Sequence, residues 1–98
     1  MEIRKEQQDT KGRLVAFDGN REMGEMTYSL ANEGELLIVD HTGVEKEYEG
    51  KGVGKSLFFK LVEMVRDEKK KIMPLCPFVR SMFERNKDQW DVLRNGSL

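Results

Sequence analysis

Three glycines crowd the stretch Glu49-Gly50-Lys51-Gly52-Val53-Gly54-Lys55-Ser56, immediately ahead of an amphipathic pattern. A glycine-rich turn that opens a helix presents backbone N–H groups where the helix dipole favours an anion, so the chemistry on offer is phosphate binding. Glycine suits that task because no Cβ blocks the ligand's approach. The plainer alternative, a strand-to-helix turn, needs fewer glycines. Cys76 stands just before Pro77 at an expected helix start, where the dipole favours thiolate. It is a candidate nucleophile or acid, or else a small buried hydrophobe, as lone cysteines commonly are. His41 is a candidate base beside that thiol if their strands adjoin, and otherwise a hydrogen-bonded strand residue. Glu47 and Glu49 are weaker candidates, acting through water or simply solvated.

Three phosphate motifs compete for the loop. A Walker loop requires G-x-x-x-x-G-K-[ST]; Gly54-Lys55-Ser56 supplies its end, but Glu49 occupies the position of the first glycine. A dinucleotide fingerprint requires G-x-G-x-x-G, and here the third glycine comes one position early. The third is Q/R-x-x-G-x-G/A, which Gly52-Val53-Gly54 fits with Glu49 in place of Gln or Arg. That loop, with His41-Thr42-Gly43-Val44 before it and Pro74-Leu75-Cys76-Pro77-Phe78-Val79 and Phe83-Glu84-Arg85-Asn86 after it, resembles the GNAT superfamily of N-acetyltransferases. The resemblance is to its small, single-domain acetyl-CoA-binding members and covers nearly the whole chain.

The resemblance implies a twisted, mostly antiparallel sheet whose splayed central strands receive the pantetheine arm of acetyl-CoA or coenzyme A. His41, Thr42, Gly43 and Val44 would form the strand edge along that arm. Glu49, Gly50, Lys51, Gly52, Val53, Gly54 and Lys55 would surround the pyrophosphate, while Phe83 and Asn86 would flank the cofactor from the following helix. Larger members often carry a tyrosine acid on that helix; Phe78 and Phe83 stand there instead, which directs attention to Cys76. The implied function is acetyl transfer from acetyl-CoA to an unidentified amine, small molecule or protein, with Cys76 the catalytic candidate and His41 a lesser one. The alternative is a non-catalytic acyl-CoA sensor or partner-binding module. A nucleotide-binding P-loop protein is a distant third.

The elements that must position these residues follow from periodicity. Residues 1–12 are polar and read as a flexible arm or an edge strand, followed by a single domain over 13–98. Asp18-Gly19-Asn20 marks a hairpin after Arg13–Phe17. Its return arm alternates Met26, Tyr28 and Leu30 with polar residues, and Gly24 marks a bulge that throws Met23 out of phase. Leu36-Leu37-Ile38-Val39 is continuously apolar, as a central strand covered on both faces should be. Val53, Leu57, Leu61 and Val65 recur four apart, predicting the main helix, which ends in Glu68-Lys69-Lys70-Lys71. Ile72–Cys76 reads as a short strand at an edge or splayed position because of Pro74. Pro77 opens a short helix, and another lies near Trp90. The fold class is α+β with a late β-α-β unit.

Composition narrows the classes. The chain has 98 residues, 36% of them charged, with a formal net charge of −1, so no overall field favours nucleic acid. No apolar run is long enough for a membrane span and no apolar leader opens the sequence, which leads us to expect a cytoplasmic protein without a membrane partner. One cysteine and one histidine exclude an internal disulfide and leave too few soft ligands for a dedicated zinc site.

Overall fold

The computed structural model describes residues 1–98. Four strands follow one another in antiparallel order: β1 (Glu2–Gln8), β2 (Lys11–Asp18), β3 (Arg21–Ala31) and β4 (Leu36–Val44). The helix α1 (Val53–Asp67) then carries the chain across the sheet to β5 (Lys71–Pro74), which lies parallel to β4. The helix α2 (Pro77–Arg85) and a short 3-10 helix (Lys87–Val92) complete the chain. Spatial order matches chain order, β1-β2-β3-β4-β5, so the fold is the expected α+β sheet with one β-α-β crossover at its end.

Alternation in β3 turns Met26 and Tyr28 inward, where they meet the apolar stripe of α1, with Leu57, Phe58, Leu61 and Val65 fully buried. α2 adds Val79, Met82 and Phe83, and the Phe83 ring packs edge-on against Phe58 with centroids 4.9 Å apart. Val92 and Leu93 join the same core. The C-terminal segment is held there by the Trp90 indole N–H, which donates to the Phe83 carbonyl at 2.8 Å, and by Arg66 of α1, which donates to both carboxylate oxygens of Asp91 at 2.9 and 2.6 Å. A bridge from Leu93 to Ile72 covers part of the outer edge of β5.

The bulge expected at Gly24 is present: Ala16 pairs with Gly24 but Phe17 pairs with Glu22, leaving Met23 as the extra residue. Of the two forms that their polarity allows, a flexible arm or an edge strand, the N-terminal residues take the second. Glu2–Gln8 pairs with β2 along its whole length through a turn at Asp9 and Thr10, and Lys11 and Gly12 already belong to β2. The reason is local. The Tyr28 hydroxyl donates to the Gln7 side chain at 3.0 Å, and its ring lies so close over Gly12 that an added Cβ would come within 2.5 Å.

Two features open the sheet. β4 and β5 pair only from Leu36 to Val39, after which the N–H groups of Leu75 and Cys76 both converge on the Val39 carbonyl at 2.9 Å and the strands part. Pro74, which lacks an N–H, is the last residue of β5 at that point. In β4 the register shifts at Asp40, which has no partner across from it: Thr27 pairs with His41, whereas Tyr28 pairs with Val39. Thr27 Oγ1 donates to Asp40 Oδ1 at 2.7 Å and fixes this bulge. A bulge bends its strand, so the segment from His41 to Val44 diverges with its edge towards β5 unpaired.

Candidate functional site

From Val44 the chain makes a single 3-10 turn (Lys46–Tyr48) and enters α1 through Gly50, Lys51 and Gly52. Gly50 (φ 76°) and Gly52 (φ 79°) adopt the left-handed conformation that side chains disfavour, and a Cβ on either would meet nothing within 4 Å. The space above them is therefore open. No side chain caps the helix, and none of the backbone amides from Gly50 to Lys55 donates to any group of the chain. The first helical bond is Ser56 N–H to Gly52 C=O, at 3.0 Å. A row of unpartnered N–H groups at the positive end of a 15-residue helix is a cradle for an anion.

Gly54 has a different reason to be small. A Cβ there would approach the Phe78 ring to 2.8 Å, so glycine lets the first turn of α2 lie against the first turn of α1. Between these two turns lies a cleft of about 530 Å³. The glycine loop and Lys55 form one wall, and Phe78, Met82, Arg85 and Asn86 of α2 form the other. Val44 and Val53 line it with apolar surface, and Tyr48 and Glu49 complete the lining. Neither Lys55 nor Arg85 is paired with a carboxylate. The Tyr48 phenol donates to Asp18 at 3.3 Å; burial first, and the Asp18 carboxylate second, push its pKa up. Lys51 lies outside the cleft lining with its ammonium 5.7 Å from the Tyr48 ring centre.

Along the free edge of β4, side chains alternate. Thr42 turns towards α2, where its hydroxyl lies 3.3 Å from Cys76 Sγ. His41 turns to the other face, with Nε2 3.9 Å from Glu25 and with Gly43 beside its ring. The pairing of His41 with Cys76 that adjoining strands would permit is thus replaced by Thr42 with Cys76, because neighbours in a strand face opposite ways. Cys76 is only 3% exposed, belongs to the hydrophobic core, and lies outside the cleft lining. It occupies the N-cap position of α2, with Pro77 beginning the helix.

Phe83 requires a correction. It does not flank the cleft; it is fully buried against Phe58, because the stripe Val79, Met82 and Phe83 is the core face of α2. Asn86 does line the cleft, and its side-chain amide donates to the Met82 carbonyl at 2.7 Å. Of the residues on the expected β4 edge, Val44 reaches this cleft. Sequence reasoning missed Tyr48, Phe78, Met82 and Arg85 as lining residues. Phe78, Met82 and Arg85 recur at helical spacing of four and three, so a second stripe beside the core stripe was available as a signal. Tyr48 gave none.

A family model described as GCN5-related N-acetyl-transferase matches residues 13–93. A GCN5-like protein of Staphylococcus aureus, solved by NMR, is 33% identical with a TM-score of 0.67; the match covers 97% of this chain and 89% of that one. A ribosomal-protein-alanine N-acetyltransferase of Brucella melitensis biovar Abortus 2308 shares the fold at 22% identity and a TM-score of 0.67, over 80% of this chain and 62% of its own. A Bacillus anthracis structure named for streptothricin acetyltransferase, in complex with acetyl coenzyme A, shares it at 17% identity and a TM-score of 0.58, over 81% of this chain and 47% of its own. Among curated proteins, none matches the chain.

Proposed function

The chain belongs to the GCN5-related N-acetyltransferase family, and from that premise we propose that it binds acetyl-CoA and transfers the acetyl group to an amine. The observation that carries this reading is the unbroken row of free amides from Gly50 to Lys55 opening onto a cleft of about 530 Å³. The fit to acetyl-CoA is chemical. Two left-handed glycines leave room for a pyrophosphate at the helix N-terminus, and Lys55 and Arg85 supply unpaired positive charge. The free edge of β4 from His41 to Val44 offers backbone groups to the amides of a pantetheine arm, and Val44, Phe78 and Met82 give its methylenes an apolar floor. The Bacillus anthracis neighbour, in complex with acetyl coenzyme A, supports the same reading.

Acetyl-CoA supplies an acetyl group activated as a thioester. The chain's own task is to orient it, exclude water and manage protons. Thr42 and Cys76 form the polar pair nearest the point where β4 and β5 part. Cys76 is the candidate acid towards the leaving thiolate or the candidate acetyl acceptor, with the Thr42 hydroxyl holding its sulfur in place. Asn86 and Phe78 flank the cleft, and Phe83 supports α2 from the core.

The burial of Cys76 favours a second reading, in which the chain senses acyl-CoA or binds a partner without transferring the acetyl group. Intact mass after incubation with acetyl-CoA separates the two. Direct labelling through Cys76 predicts the added mass of one acetyl group, lost in Cys76→Ala while CoA binding persists. Labelling that survives in Cys76→Ala overturns the assignment of that thiol as acceptor. Binding with neither labelling nor turnover of any amine in a panel leaves the sensing role.

A further inference from the structure

We propose that Arg85 recognises the 3′-phosphate of CoA, so that the cleft selects CoA over dephospho-CoA. The proposal rests on the reading of the cleft as an acetyl-CoA site and names a determinant within it. CoA carries two kinds of anion, a pyrophosphate and a terminal phosphomonoester, and the cleft offers two separate kinds of anion recognition. One wall has the amide row, the positive end of α1 and Lys55, which together suit the pyrophosphate. Arg85 provides the facing wall's one cation, and no carboxylate of α2 lines the cleft beside it.

Its position and the state of its guanidinium together set it apart. Arg4, Arg13, Arg21 and Arg66 are each engaged by a carboxylate, and of the arginines that are not, Arg80, Arg85 and Arg94, Arg85 alone lines the cleft. Arg85 has only weak partners: its Nη2 lies 3.2 Å from the Met82 sulfur and its Nε lies 3.5 Å from the Ser81 carbonyl. Donors remain free on a planar fork whose geometry matches phosphate. A phosphomonoester carries between one and two negative charges at neutral pH and has more oxygens to offer a fork than a pyrophosphate already seated on backbone amides.

Calorimetric titration with CoA and with dephospho-CoA, at one fixed ionic strength, tests this. The wild-type chain is expected to bind CoA about tenfold more tightly than dephospho-CoA, the size of one charge-assisted hydrogen bond at an open site. In Arg85→Gln both ligands should bind with the dephospho-CoA affinity, and Arg85→Lys should restore part of the preference. Arg80→Gln, which removes an exposed charge from the same helix outside the cleft, should leave the ratio unchanged. Equal wild-type affinity for both ligands overturns the proposal and leaves the cleft assignment standing. So does a preference that survives in Arg85→Gln, or an equal loss for both ligands in that variant. Wild-type binding to neither ligand overturns the cleft assignment itself.

Discussion

Glycine serves two purposes in the loop, and they separate at neighbouring positions. Gly52 is required by its backbone, with a left-handed φ of 79° and open space where a side chain would project. Gly54 is required by packing, because Phe78 occupies the place of its Cβ. Gly52→Val should therefore cost about 1–2 kcal/mol of strain and obstruct the approach to the amides. CoA affinity should fall by about tenfold or more, read by titration; unchanged affinity would remove the loop from the binding site. Gly54→Val should act differently, pushing α2 away from α1 and lowering the melting temperature as well as the affinity. The glycine cluster itself was legible in the sequence because three glycines exceed what a turn needs. The division of labour between them was not, since it depends on a ring brought in from another helix. Phe78 and Phe83 illustrate the same limit. As residue types they are interchangeable, and only the rotation of α2 decides that the first lines the cleft while the second fills the core.

Strong hydrophobic periods made most elements legible. Val53, Leu57, Leu61 and Val65 define α1, and truncating its centre, Leu61→Ala, should destabilise the fold by about 2–5 kcal/mol in a denaturant titration. A loss below 1 kcal/mol would contradict the placement of Leu61 in the core. β1 was only half legible, since seven residues with one large aliphatic give no period to read. Its stability comes from ladder bonds and cross-strand contacts such as Arg13 to Glu6 at 2.9 Å. The Asp40 bulge in β4 was invisible for a related reason: it is a matter of register, stabilised by one side-chain bond from Thr27. At the C-terminal clasp, Arg66 donates to Asp91 and holds that carboxyl below the ordinary aspartate range. A depressed folded pKa contributes stability above the unfolded pKa and loses it as pH falls through the folded value. Because both side chains are about half exposed, solvent screening keeps the contribution under about 1 kcal/mol. Asp91→Asn should lower the melting temperature by a few degrees at neutral pH, with the gap closing in acid. A gap that stays constant down to pH 2 would contradict the clasp.

At the scale of the molecule, the net charge is −1, yet the cleft is lined by two cations without a carboxylate partner, Lys55 and Arg85. No helix is long and apolar enough to cross a membrane. The chain spans 89% of its Staphylococcus aureus relative but only 62% and 47% of the two longer neighbours. Binding of acetyl-CoA to the cleft between α1 and α2 is tested most directly by thermal melting of the intact protein. At a hundredfold excess over its dissociation constant, a ligand specific for the folded state adds about 2.7 kcal/mol, which for a domain of this length raises Tm by about 10 °C or more. Acetyl-CoA should produce that rise, and ATP at the same concentration should produce none. No shift with acetyl-CoA, or an equal shift with ATP, would contradict the assignment of the cleft to acetyl-CoA.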